Sequence, residues 1–220
     1  MVDTVKFIRE FGESFYNFEE DSKYSFAYQD KIQGWCPTPL MWLLNTALKC
    51  LRDGEEYLEI GSFCGRSLAA ALKNNSATAH VIDPLNLWTQ NGTTEDLWFQ
   101  TVSQFHLADR ITLHRDFAEN FCGELPPIGV FFYDGNHDTG HTYEALRKYQ
   151  PFLAESAIII VDDYEIYGGD QQNVFSGHTL DIQRPVKTDT DRWIRENRSY
   201  VKFHLTTPWL NGQAILFYEA

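Results

Sequence analysis

Hydrophobic residues along the chain fall into short, β-branched and aromatic runs separated by longer stretches with helical spacing. EYLEI (56–60), AHVID (79–83), ITLH (111–114), VFFYD (130–134) and AIIIVD (157–162) read as strands. The last two are apolar almost throughout, as strands are when both faces of their sheet are covered. Between the runs, GRSLAAALKN, TTEDLWFQTVSQFHL and TYEALRKYQPFL predict helices, the second capped by Thr93 with Asp96 in its first turn. Upstream, TPLMWLLNTALKCL predicts a helix with Thr38 as cap and Pro39 at its first position. Strands that alternate with helices give an α/β fold, a doubly wound and mostly parallel sheet. The end of the chain departs from this rhythm. SYVKFHLTT and QAILFYEA are joined only by PWLNG, too short for a crossover helix, so they predict an antiparallel hairpin and bring the sheet to seven strands. Residues 1–54 form an N-terminal helical region and 55–220 the core of a single domain. YEIYGGDQQNVFSGHT (164–179) reads as a long polar loop after a strand, of the kind that serves as a lid or binding loop.

Composition changes this picture little but removes some functions. A chain of 220 residues, 43% hydrophobic and 15% aromatic, buries one sizeable core. Its net charge of -13 argues against nucleic acid and anionic membranes as partners, since both recruit basic surface. Cys36, Cys50, Cys64 and Cys122 show neither a C-x-x-C pair nor a dense framework, so they read as reduced thiols. The N-terminus lacks an apolar signal core, and no run approaches the roughly 20 apolar residues of a membrane span. A cytoplasmic location is expected, and a homo-oligomer is compatible with the sequence.

The chemistry begins at YLEIGSFCGRS, Tyr57 to Ser67. In a doubly wound sheet, ligands bind at the carboxyl ends of the strands, near the point where strand order reverses. There Gly61 and Gly65 let the backbone turn tightly, while Ser62, Ser67 and the next helix offer donors. Asp83, ending the second strand, is placed to accept the two hydroxyls of a ribose. A dinucleotide fingerprint would need G-x-G-x-x-G, whereas this turn has only G-x-x-x-G. Glu59 suits a cationic ligand better than a pyrophosphate. LEIGSFCGRS resembles the first motif of class I S-adenosylmethionine-dependent methyltransferases, especially the catechol and caffeoyl-CoA O-methyltransferase branch. The resemblance implies a Rossmann-like fold and S-adenosylmethionine as cofactor.

Farther along, FFYDGNHDTGHTYEAL and AIIIVDDYE set Asp134 at the end of one strand and Asp162 with Asp163 at the end of the next. Three carboxylates at one crevice repel each other unless a cation sits among them, and hard oxygen donors suit magnesium, calcium or manganese. The pattern is similar to that of the metal-dependent and macrocin-type O-methyltransferases. That similarity implies a divalent cation, Mg2+ foremost, on Asp134, Asp162 and Asp163. Catechol-type enzymes carry a proton-accepting lysine shortly after the first aspartate. Here His137 stands at that position, with His141 as the alternative, and histidine serves as a general base near neutral pH. A rival use of HDTGH is a zinc or non-haem iron site with both histidines on one helical turn. The fold resemblance also implies that Asp116, Phe117 and Ala118 pack on the adenine and that Phe63 lies along the cofactor; Asp134 borders it. GWCPTP (34–39), Trp88, Tyr164 and Tyr167 are candidates for the acceptor side. The expected activity is metal-dependent O-methylation of a small-molecule hydroxyl. The alternatives are an oxidoreductase or hydroxylase on the same scaffold and a non-catalytic S-adenosylmethionine-binding protein.

Overall fold

The structure is a computed structural model that describes residues 3, 5–10, 32–165, 185–207 and 212–220. The strands are β1 (Glu56–Ile60), β2 (Ala79–Ile82), β3 (Ile111–His114), β4 (Ile128–Tyr133), β5 (Leu153–Val161), β6 (Val201–Thr206) and β7 (Ala214–Glu219). They form one sheet in the order β3-β2-β1-β4-β5-β7-β6. The first five in that order pair parallel. β7 runs antiparallel to both β5 and β6, which confirms the doubly wound, Rossmann-like sheet with its C-terminal hairpin.

Strand alternation divides the core in two. On β1 and β4, Tyr57, Val130 and Phe132 enter one apolar cluster while Leu58, Ile60, Phe131 and Tyr133 enter the other. The first cluster is covered by α1 (Thr38–Leu48), α2 (Arg66–Leu72) and α3 (Thr94–Gln104), through Leu44, Leu68 and Trp98. The second is covered by α4 (His141–Tyr149) and α5 (Pro185–Glu196), through Leu146, Val186 and Trp193. With both faces closed, every residue of β4 is buried, which accounts for its unbroken apolar run.

Several local expectations shift. α1 begins one residue early: Pro37 occupies the cap position and Thr38 is the first helical residue, so the cap lacks a side-chain hydrogen bond. Thr93 does cap α3, its hydroxyl accepting from Asp96 N at 3.0 Å. α4 stops at Tyr149 because Pro151 cannot continue it, and the chain passes through a tighter turn over Gln150–Phe152 into β5. The pattern did not predict α5, whose polar sequence PVKTDTDRWIRE buries only two large apolar side chains, Val186 and Trp193, beside Pro185, Asp189 and Thr190. A two-residue ribbon, Trp88–Thr89 with Gly92–Thr93, was also not anticipated. Beyond Glu165, the long loop expected at 164–179 lies outside the described residues, as do Tyr167 and residues 208–211 of the hairpin turn.

Strand order reverses at β1, which has β2 on one side and β4 on the other. Their ends are tied in step: Gly61 N donates to Ile82 O at 3.2 Å, Asp134 N to Ile60 O at 2.9 Å and Asp162 N to Tyr133 O at 2.9 Å. The residues that follow β1, β4 and β5 are thereby held side by side.

Candidate active site

A cleft of about 1440 Å³ opens at these carboxyl ends. Its wall includes Gly61, Ser62, Phe63 and Ser67 from the turn after β1, with Asp83 after β2 and Phe117 and Ala118 beyond β3. Asp134, His137 and His141 line it from the β4 side, and Asp162 and Asp163 from the end of β5. Glu59, Gly65 and Asp116 are not part of the lining. Of the acceptor-side candidates, Gly34, Trp35 and Cys36 border the cleft, whereas Trp88 points into solvent and Tyr164 is buried elsewhere.

The turn after β1 depends on close backbone approach. Gly61 has φ +84, and a Cβ there would lie 1.9 Å from the carbonyl oxygen of Asp134. Phe63 and Asp163 also have positive φ, 52 and 54, without being glycine, so two backbone strains sit in one cleft. The donors expected to face a ligand are turned inward instead. Ser62 N and Phe63 N donate to Asp83 Oδ2 at 2.7 and 2.8 Å, and Leu85 N donates to Asp83 Oδ1 at 2.7 Å. Asp83 thus clamps the turn to β2, and three of its roughly four acceptor positions are already filled. Ser62 Oγ accepts from Trp98 Nε1 at 3.0 Å, and Thr101 Oγ1 donates to Cys64 O at 2.8 Å, so α3 buttresses the turn from behind. Nothing in the α3 pattern singled out Trp98 or Thr101 for this role, because both also read as ordinary core positions.

Glu59 lies beneath the turn and is wholly buried. Tyr57 Oη donates to its Oε2 at 2.6 Å and Ser67 Oγ to its Oε1 at 2.9 Å. Burial raises its pKa to about 7 in spite of these donors. It supports the turn from below, with no face toward the cleft.

The acids on the other side converge in part. Asp134, His137 and Asp163 bring one ligating atom each to within 4.8 Å of one another, close enough to share one ion. His137 Nε2 lies 3.5 Å from Asp134 Oδ1 and its Nδ1 lies 3.3 Å from Asp163 Oδ2. That Nε2 is buried without a hydrogen-bond partner of normal geometry. Asp162, expected in this group, is turned away at one oxygen: its Oδ1 accepts from Gln213 Nε2 at 2.7 Å and from Asp163 N at 2.9 Å. The structure therefore joins Asp134 and Asp163 with His137 in place of Asp162. Gln213 escaped notice because it lies just before β7, 51 residues from its partner.

Desolvation raises Asp134 to about 6, with His137 opposing the shift, and raises Asp162 to about 7, with Asp134 adding to it. Burial works against a charged His137, yet its hydrogen bond to Asp134 and the neighbouring carboxylates carry its pKa above the ordinary value. A cluster of carboxylates that resists ionisation, beside a ring nitrogen held only by a long contact to one of them, fits a divalent cation. The rival zinc or iron site does not form. Gly140, at φ +91, begins the helix only at His141, so the two histidines do not share a helical turn, and His141 is outside the cluster.

Sheet order and cleft together define a class I methyltransferase architecture. Residues 58–164 match the family described as a methyltransferase domain. Solved structures share the fold at low identity. TomG of Streptomyces achromogenes, an O-methyltransferase involved in tomaymycin synthesis and solved with S-adenosylmethionine, matches with TM-score 0.60 and 15% identity over 91% of each chain. A putative caffeoyl-CoA O-methyltransferase from Staphylococcus aureus gives 0.61 and 15% over 95% of this chain and 98% of its own. An O-methyltransferase from Bacillus cereus in complex with S-adenosylhomocysteine gives 0.59 and 16% over 91% and 92%. No curated protein sequence matches the chain. Among the described residues, no helix is long and apolar enough to cross a membrane.

Proposed function

We propose that the protein transfers the methyl group of S-adenosylmethionine to a hydroxyl of a small molecule, assisted by a divalent cation. The observation that carries this reading is the convergence of Asp134, His137 and Asp163 in the same cleft as the Gly61–Gly65 turn. Asp134 and Asp163 would hold the ion, with the second oxygen of Asp162 available to it. When bound, the ion would lower the pKa of the acceptor hydroxyl and fix its place.

The residues of the chain supply the remaining tasks. The Gly61–Gly65 turn and the open position on Asp83 would border the ribose, and Phe117 and Ala118, which line the same cleft, would flank the adenine. His137, whose Nε2 lies 3.5 Å from Asp134 Oδ1, would take the hydroxyl proton as the methyl group passes from the sulfonium to the attacking oxygen, leaving adenosylhomocysteine. Gly34, Trp35 and Cys36 border the side left for the acceptor. The solved relatives described as O-methyltransferases support the choice of oxygen as nucleophile.

The test uses Asp134→Asn and Asp163→Asn, measured for Mn2+ binding and for methyl transfer across a panel of hydroxylated acceptors. Both should lose Mn2+ binding and turnover while keeping adenosylhomocysteine affinity. Turnover by the wild type that survives complete chelation of metals would overturn the metal role.

A further inference from the structure

α4 starts without a capping side chain. Its cap position is Gly140, at φ +91, which has no oxygen to offer the free N–H groups of the first turn. The missing acceptor comes from a different helix: Asp189 on α5 places Oδ2 2.7 Å from Gly140 N and 3.5 Å from Tyr143 N. This aspartate is only 5% exposed, and the described hydrogen bonds to its carboxylate come from the backbone of that turn. A buried carboxylate is costly unless its donors are well placed, so the position is a specific one.

The segment that Asp189 grips is the one that carries His137. Between β4 and α4 the chain is pinned before His137 by Tyr133 Oη, which donates to Asn136 O at 2.8 Å. Asp138 N donates to Asn136 Oδ1 at 2.9 Å, closing the bend around His137 itself. After it, His141 N reaches Asp138 O at 3.2 Å and Gly140 N reaches Asp189. Of these anchors, Asp189 alone comes from outside β4, α4 and the connection between them. We infer that Asp189 is a positioning residue, which through Gly140 N sets the place of the His137 imidazole between Asp134 and Asp163. This inference takes its interest from the proposed role of His137 as proton acceptor, but the geometry it asserts can be measured independently of that role.

The experiment compares Asp189→Ala with Asp189→Asn in the full chain, with histidine rings labelled for NMR and the His137 resonance assigned by His137→Ala. Asparagine keeps an oxygen that can accept from Gly140 N, whereas alanine leaves none. The Asp189→Ala ring signal of His137 should shift or broaden, Mn2+ affinity should fall about tenfold, and adenosylhomocysteine affinity should stay within about twofold. Asp189→Asn should restore the His137 signal and most of the Mn2+ affinity. A His137 resonance identical in wild type and Asp189→Ala overturns the inference, as does an asparagine variant as displaced as the alanine one. If instead His137→Ala transfers methyl groups at the wild-type rate, the proton-acceptor role fails while the NMR result still decides what Asp189 does.

Discussion

A carboxyl group under a glycine turn makes Glu59 a sensitive residue. Its pKa rises from 4.5 to about 7 on burial, so the folded state holds a proton that the unfolded chain has released. Its contribution to stability is complete below pH 4.5 and is lost as pH rises to about 7, for a total of about 3 kcal/mol. Glu59→Gln, neutral throughout, should flatten the pH dependence of urea unfolding in that window; an unchanged slope would show that Glu59 ionises freely. Gly61→Ala meets a harder limit, because its Cβ would overlap the Asp134 carbonyl at 1.9 Å and the residue would keep φ +84. The variant should lose about 3 kcal/mol or more in thermal unfolding, together with adenosylhomocysteine binding. At this scale the sequence was informative where chemistry is local. Gly61, Asp134 and His137 follow or interrupt apolar runs and could be found by eye. The inward use of Asp83 could not, because an aspartate that clamps a turn and one that binds a ribose have the same place in the pattern.

Among elements, α3 and α5 do work that their sequences conceal. The hydrogen bond from Trp98 to Ser62 Oγ fixes the back of the cofactor turn to α3. Trp98→Phe keeps most of the ring but removes one hydrogen bond from the buried Ser62 hydroxyl, so it should cost about 1 kcal/mol in urea unfolding and weaken adenosylhomocysteine binding as the turn loosens. A variant with wild-type stability would show that Ser62 finds another donor. β1, β2, β4 and β5 were legible because they are largely buried on both faces and mostly apolar. α5 was not, because its buried face, Val186, Asp189, Thr190 and Trp193, is half polar and carries no apolar period. Its stability rests on packing against α4, a partner that no local window contains.

For the molecule as a whole, the sheet order brings four strand ends to one edge, so ligand binding there should stabilise the entire domain. Adenosylhomocysteine at 100 times its Kd should add about 2.7 kcal/mol and raise the melting temperature by roughly 5–10 °C, whereas NAD should leave it unchanged. A matching shift with NAD would contradict the methyltransferase reading. Topology was predictable at this scale since alternation of strands and helices leaves few alternatives, and the terminal hairpin had no space for a crossover. The split of Asp162 from Asp163 was not predictable, because it depends on a glutamine delivered by a strand from the other end of the domain.

That glutamine has a consequence for synthesis. The last contact to Asp162 arrives only with Gln213, after every other described part of the cleft has been translated. A nascent chain that has released β1 to β5 therefore carries the crowded acids with Asp162 still lacking its glutamine, and catalysis should begin only once Gln213 has emerged and docked.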